Sequence, residues 1–480
     1  MEDLDLKNTT RKGLYWTAIS NIVNKGLLFI FGIILARLLS PQAYGVIGML
    51  SVFICIVSVF IDCGFSQALI IKPNRTQTDF STEFYFNIGV GIIGYLILFF
   101  ASPFIATFYQ MPILSPILKV IGLGVTINSF CVVQSAQFAI RLDFKTPAKI
   151  SVITQVLSAC VGITLAYLGY EVWALVYQQL SASILNALAL WLVVRWRPTL
   201  EFSSNSFKYL WGYGSKILGS SLIQQVYDNL YPLVIGKFFS ASSLGLFSRA
   251  NSFASLPSTN FSSIIGNVTF PVLSKLNGDT VRIESVYRRM QKVIAFVVFP
   301  MMLVLAAISS PLVQIILNEH WYGCIVMIKL LCFALIWQPI SFLQLNVLKA
   351  VGRTDIVLKL EIAKRSVGLL SIFGSIPFGI IGMCVGFDLF YLYCFLLNTF
   401  YVGKVIGVSL IQQIKDLFPM FINSIIMGTI VWFFTGMDIN IYIVTIVGIL
   451  IGILYYSLAS KLFMKDTLKE ALLMLNFKKL

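Results

Sequence analysis

Charge is what this chain has least of. Of its 480 residues only 11% are Asp, Glu, Lys or Arg, where a soluble domain carries about a quarter. Acids are scarcer than bases, 20 against 35, and histidine occurs once, at His320. A single imidazole between Glu319 and Trp321 has no second ligand at metal-binding spacing, so it makes no metal centre. The eight cysteines, Cys55, Cys63, Cys131, Cys160, Cys324, Cys332, Cys384 and Cys394, include no C-x-x-C pair and all lie in apolar segments. That gives them a packing role in place of a disulfide or metal role. With no nucleophile motif and no phosphate-binding glycine loop either, the chain reads as a non-enzyme without cofactor.

What fills the space left by charge is apolar. Hydrophobic residues make up 58% of the chain and mean hydropathy is +0.88, more apolar surface than one soluble core can bury. The fold class is therefore an all-α polytopic membrane protein. Met1 to Gly13 mixes acids and bases, and the apolar segment after it contains Asn21, Asn24 and Lys25. It reads as a first spanning helix and not as a cleaved signal.

About fourteen segments have the roughly twenty residues needed to cross the hydrocarbon. Six run roughly over 14–36, 44–70, 84–107, 113–136, 149–168 and 172–194. Six more cover roughly 209–235, 244–273, 290–317, 323–348, 356–376 and 380–402, and a last pair covers 418–436 and 440–460. The least apolar is 244–273, crowded with Ser248, Ser252, Ser255, Ser258, Thr259, Ser262 and Ser263. A polar helix is tolerated where it lines a cavity.

Loop charge orients the chain. With the N-terminus inside, most Lys and Arg fall in inner loops, while the outer loops carry only Arg37 and Lys237. Both ends are then cytoplasmic. The net charge of +15 is spread over those inner loops facing anionic lipid headgroups, so nucleic-acid binding is not implied. The inner loop Arg195 to Lys208 separates an N-terminal lobe, 1–200, from a second lobe, 201–403. The remainder, 404–480, holds the last two spans and a cytoplasmic tail. That tail, with Leu468, Leu472, Leu473 and Leu475 among lysines, either lies along the inner surface as an amphipathic helix or frays. Trp16, Trp173, Trp196, Trp211 and Trp321 fall near span ends, where they anchor the interface.

An internal repeat supports the two-lobe division. Ile34 to Gly45, ILARLLSPQAYG, aligns without a gap on Val234 to Gly245, VIGKFFSASSLG, with Ser40 on Ser240, Gly45 on Gly245 and Arg37 on Lys237. Each copy closes an apolar run on a basic residue, crosses a polar turn and restarts at a glycine.

Polar residues recur at helical spacing inside the spans: Thr17, Asn21, Asn24 and Lys25 in the first; Ser51, Cys55, Ser58, Asp62 and Ser66 in the second; Lys216, Ser220, Gln224 and Asp228 in the seventh. Arg249 joins them in the eighth. Three cations facing lipid would cost about 8 to 10 kcal/mol on insertion scales, so Lys25, Lys216 and Arg249 face protein or water. They fit internal ion pairs, Lys216 with Asp228 for instance, and Glu361 with Arg365 elsewhere; Lys119, Lys329 and Lys364 fit snorkelling to an interface. They equally fit an anionic passenger, because bases outnumber the acids Asp62, Asp228, Glu361 and Asp388 within the spans.

ILARLLSPQAYG, the DCGF at Asp62 to Phe65, DNLYPLVIGKFFSASSLGLFSRA from Asp228 to Ala250, the FP at Phe270 and ILNEHW at Ile316 to Trp321 resemble the Wzx-type polysaccharide flippases, WzxC-like exporters above all. The resemblance implies the multidrug/oligosaccharidyl-lipid/polysaccharide exporter fold: two pseudo-symmetric six-helix lobes around a cavity, and a C-terminal helix pair that offers a groove to a polyprenyl tail. It implies a bacterial plasma-membrane transporter that flips an undecaprenyl-pyrophosphate-linked oligosaccharide outward by alternating access, for use by polysaccharide polymerase machinery. It places Arg249 in a serine-arginine-alanine element and Asp62 in an aspartate-x-glycine element. With Lys25 and Lys216 carried by the charge argument alone, Lys25, Lys216, Arg249, Asn21 and Gln224 are the expected substrate contacts, Asp62 and Asp228 the coupling or charge-pairing acids, and a proton or sodium the coupling ion. A lipid II flippase is the nearest rival, sharing the pyrophosphate. A drug or cation antiporter of the same fold should have acids dominating its cavity, and a membrane glycan polymerase needs longer outer loops than these.

Overall fold

The computed structural model describes residues 23–276, 278–437 and 439–475, and every regular element among them is helical. The chain divides into two compact units, Met1–Gly245 and Leu246–Leu480.

In the first unit, helix 23–38 gives way at Ser40 to the helix Pro41–Asp62. Proline suits the start because its missing N–H is one of the donors a helix leaves unpaired there, and Ser40 Oγ accepts from Ala43 N at 3.4 Å. The second copy of the repeat builds the same corner: Leu230–Phe238 ends, Ser240 Oγ accepts from Ser243 N at 3.0 Å, and Ala241–Ser274 begins. The two copies meet at their glycines. A Cβ on Gly45 would strike the backbone of Ala241, and a Cβ on Gly245 would strike that of Pro41.

Gln77–Tyr109 starts in a capping box, with Thr76 and Asp79 bonding one another's backbone, and Lys72 Nζ reaches Asp79 at 2.6 Å. Leu114–Ser129 packs along it, and Lys145–Tyr167 pairs with Val172–Val193. Residues 204–238, placed in the second lobe by the inner loop at 195–208, form Ser204–Asp228 and Leu230–Phe238 and pack on the helices at 41–71.

The second unit centres on Thr280–Ala307, which packs against Leu410–Thr435 and Cys324–Leu335. A buried polar relay ties Thr280–Ala307 to Leu410–Thr435 and to the helices Gln338–Ala350 and Gly379–Ile406: Tyr287 donates to Gln413 Oε1 at 2.7 Å, and Gln344 Nε2, 3.4 Å from Tyr287 Oη, donates to Thr399 Oγ1 at 2.8 Å. At one end Arg288 and Lys292 share Asp416, at 2.7 and 3.1 Å. The tail forms the helix Lys465–Leu475, which lies on Thr280–Ala307 with Arg289 against Glu470 at 3.1 Å.

Among the described residues nine helices are long and apolar enough to cross a membrane, or ten if Leu114–Ser129 and Val132–Ile140, bent by 40°, form one span. The expected fourteen are not established by this count. One of the nine, Thr354–Ile406, has 53 residues, which as a straight helix would reach about 80 Å. The 3-10 turn Ile376–Phe378 and Gly379, at φ +74°, divide it into two helices that pack together. Ser204–Asp228 and Ala241–Ser274 have the length but not the apolarity. The hydroxyls of the latter turn back on its own backbone, Ser252 on Ser248, Thr259 on Ser255 and Ser262 on Ser258, each at 2.8 Å. A helix that satisfies its hydroxyls this way stays stable in apolar surroundings while scoring as polar. The first expected span, 14–36, falls partly outside the described residues.

Candidate functional site

The DCGF element breaks a helix. Pro41–Asp62 ends at Cys63, φ 40°, and Gly64, φ 70°, before Phe65–Ile71 resumes. Two consecutive left-handed residues stop the hydrogen-bond ladder, and Gly64 is required there twice over, because a Cβ would lie 2.9 Å from Ile217 Cβ. A second break, at Phe130 and Cys131, separates Leu114–Ser129 from Val132–Ile140. Phe65–Ile71 packs on Val132–Ile140, so the two breaks lie side by side.

Between them is a polar cavity of about 440 Å³ lined by Asp62, Ser66, Asn128, Cys131, Ser135 and Asn186, with Val132 and Ala136. Ser66 Oγ carries the polar surface deeper by donating to Glu83 Oε1 at 3.0 Å. Glu83 is 0% exposed and its Oε2 has no hydrogen-bond partner. One turn on, Asn87 is also 0% exposed, with neither side-chain polar atom hydrogen-bonded. Gly91 continues the stripe, its carbonyl accepting from Thr126 Oγ1 at 3.3 Å beside the second break.

Glu83 lies outside the expected third span, 84–107, whereas the helix begins at Gln77; Asn87 lies inside that span without being singled out. The i, i+4, i+8 spacing of Glu83, Asn87 and Gly91 was the available signal. Counting Glu83 adds a fifth acid to the spans and narrows the excess of bases.

The second unit holds Arg249. It is 7% exposed, and its guanidinium lies 5.4 Å from the ring centre of Trp321, which is 0% exposed. Two motifs far apart in sequence, the serine-arginine-alanine element and ILNEHW, thus meet as a cation over an aromatic face. Trp321, expected to anchor an interface, is instead a core residue, because the 3-10 turn Glu319–Trp321 folds it inward.

The other expected site residues are scattered. Lys25 is half-buried on helix 23–38, and Asn24 beside it accepts from Gln155 through its backbone carbonyl at 3.3 Å. Lys216, Gln224 and Asp228 lie on the exposed side of Ser204–Asp228. Gln224 donates to both Asp228 oxygens, at 2.9 and 2.8 Å, taking the place foreseen for Lys216. Lys364, expected to snorkel, reaches Glu361 at 3.3 Å, and Lys119 Nζ lies 4.6 Å from the Phe99 ring centre. Asn21 lies outside the described residues. Of the six that are described, only Asp62 lines the cavity.

Residues 34–326 match the polysaccharide biosynthesis protein family. The chain is 25% identical over 430 residues to the lipopolysaccharide biosynthesis protein WzxC of Escherichia coli K12, covering 88% of this chain and 87% of that one. Among solved structures it resembles the lipid II flippase MurJ in an inward closed conformation, with TM-score 0.74, 17% identity, and 95% and 100% of the two chains covered. It also resembles an inward-facing multidrug resistance MATE family transporter of the MOP superfamily, with TM-score 0.61, 15% identity, and 80% and 96% covered. At these identities the two structures speak for the fold, which is that of the multidrug/oligosaccharidyl-lipid/polysaccharide exporters.

Proposed function

Because the chain belongs to the polysaccharide biosynthesis protein family, we propose that it is a multi-pass membrane transporter that flips a lipid-linked oligosaccharide for polysaccharide biosynthesis. The family match across 34–326 carries the reading, and the relatives' printed role in polysaccharide biosynthesis supports it. No bond is made or broken in this reading, so the protein is not an enzyme.

The finer proposal takes undecaprenyl pyrophosphate as the carrier, the bacterial plasma membrane as the location with both ends cytoplasmic, and polysaccharide polymerase machinery as the consumer. Lobes 1–200 and 201–403 alternate access around the loop between them, with 404–480 receiving the polyprenyl chain. Lys25, Lys216 and Arg249 attract the pyrophosphate, Asn21 and Gln224 hydrogen-bond the sugars, and Asp62 and Asp228 pair with the bases as access alternates. A proton or sodium drives the cycle. The inner-loop bases support the orientation, and the polar faces on the first, second, seventh and eighth spans support the contacts.

The test is conditional depletion followed by mass spectrometry of extracted lipids. An undecaprenyl-pyrophosphate oligosaccharide should accumulate several-fold, and the wild-type protein should clear it. Arg249→Ala at equal membrane level should not. Accumulation of lipid II instead identifies the rival flippase, and an unchanged lipid pool with new drug sensitivity refutes the reading.

A further inference from the structure

Three corners meet at one end of the first unit. Helix 23–38 gives way to Pro41–Asp62 at Ser40, Gln77–Tyr109 to Leu114–Ser129 through Gln110, and Leu230–Phe238 to Ala241–Ser274 at Ser240. Among them is a cavity of about 420 Å³, within the range of small-molecule sites. Gln42, Tyr109, Gln110, Lys237, Phe239 and Ser242 line it. The loop charges put all three corners on the outer side.

The charge here is of one sign. Two helices begin at the cavity, and a helix start carries partial positive charge. Ser40 and Ser240 cap them by accepting from Ala43 N and Ser243 N, at 3.4 and 3.0 Å, which leaves the N–H groups of Gln42 and Ser242 without a partner among the described residues. Lys237 adds a full charge. Its ammonium lies 4.3 Å from the Phe108 ring centre and donates to the Phe108 carbonyl, which occupies one of its three donors. Among the described residues no Asp or Glu lines the cavity. Such a field attracts an anion.

The neutral groups narrow the kind of anion. Tyr109 is 7% exposed, and its hydroxyl has no hydrogen-bond partner. The ring cannot swing away to find one: Phe53 stands edge-on to it at 6.4 Å, and even a Cβ at Gly236 would lie 3.2 Å from its Cε1. Gln110 ends its helix at φ 56°, where glycine or asparagine is the easier residue. The amides of Gln42 and Gln110 bring acceptors as well as donors, and an ionised phosphate has no proton to give those acceptors. Sugar hydroxyls both give and accept, and Phe239 adds an aromatic surface for the apolar face of a sugar ring.

We propose that this cavity binds an acidic sugar unit, with Lys237 and the two helix starts on its carboxylate and Tyr109, Gln42 and Gln110 on its hydroxyls. The site rests on the transport reading for its purpose, which is to receive the glycan on the outer side. Binding is measurable without any lipid carrier, so its failure leaves the transport reading intact, and the reverse holds.

The experiment follows thermal unfolding of the full chain in detergent by tryptophan fluorescence, in sodium glucuronate, glucose or sodium pyrophosphate at one ionic strength. A ligand that binds only the folded state raises the midpoint with a saturable dependence. Glucuronate should raise it by a few degrees, and glucose and pyrophosphate should each need about tenfold more for the same shift. Lys237→Gln should reduce the glucuronate response to that of glucose. Tyr109→Phe deletes a hydroxyl that bonds nothing in the free protein, so its midpoint without ligand should match or exceed that of the wild type, while its glucuronate requirement rises several-fold. A tyrosine that only packs would not separate those two readings. Equal wild-type shifts in glucuronate and glucose, or none in either, overturn the proposal. A pyrophosphate shift as large as that of glucuronate overturns the sugar in favour of a diphosphate, and a wild-type glucuronate response in both variants overturns the cavity as the site.

Discussion

Alanine at Gly45 or at Gly245 should remove most of the folded protein from the membrane. The usual sign of the substitution is the opposite: in a helix interior, alanine in place of glycine gains about 0.5–1 kcal/mol, because glycine gives up more backbone freedom on folding. Here the added methyl has nowhere to go. At Gly45 it would overlap the carbonyl of Ala241, and at Gly245 the carbonyl of Pro41. Neither obstacle is a side chain that can rotate away; each is backbone in the first turn of a capped helix. Moving it would break the corners that Ser40 and Ser240 hold. Overpacking typically costs about 1–3 kcal/mol, and backbone against backbone should reach the top of that range or beyond it.

The controls lie in the same unit. Gly26 and Gly89 are helical glycines with no atom within 4 Å of an added Cβ, so alanine there should be neutral or mildly stabilising. Size-exclusion profiles and unfolding midpoints of the four variants measure the effect. Indistinguishable behaviour of all four would mean that the glycine contact is not part of the native packing.

Trp321→Ala should be the most destabilising single change in the second unit. The side chain is completely buried, and truncating such a tryptophan typically costs about 3–5 kcal/mol in lost contacts and residual cavity. The ring also supports the Arg249 guanidinium at 5.4 Å, a contact worth up to about 2 kcal/mol when desolvated. Trp321→Phe keeps an aromatic face and should lose less than half as much. A double-mutant cycle of Trp321→Phe with Arg249→Met isolates the pair. A coupling of about 0.5–2 kcal/mol is expected, while a coupling near zero would mean that the two side chains are merely neighbours.

The cycle also bears on transport. If Arg249 meets substrate, Arg249→Met should lose lipid clearance even where protein level and unfolding midpoint are kept. If its role is to pack on Trp321, activity and stability should fall together.

What the amino-acid sequence determined by itself was everything that depends on counting along one chain. Apolar excess set the membrane class, and serine-glycine spacing revealed the repeat. Those signals survive because helix formation in an apolar medium is local: each segment satisfies its own backbone, and its composition is its evidence. Span ends were less secure, because a capped helix such as Gln77–Tyr109 extends past its apolar stretch. That is why Glu83 was missed.

Helical spacing already makes neighbours of Gln224 and Asp228 and of Lys364 and Glu361. Only the tertiary structure decided that Arg249 rests on a tryptophan 72 positions further along the chain. The breaks at Cys63 and Cys131 lie nearly seventy residues apart in sequence and side by side in the fold. Pairing energies depend on distance and burial in three dimensions, and neither quantity is encoded in spacing along a chain. The sequence could supply Asp62, but the open polar cavity it lines with Ser66, Asn128 and Asn186 exists only once the helices have packed.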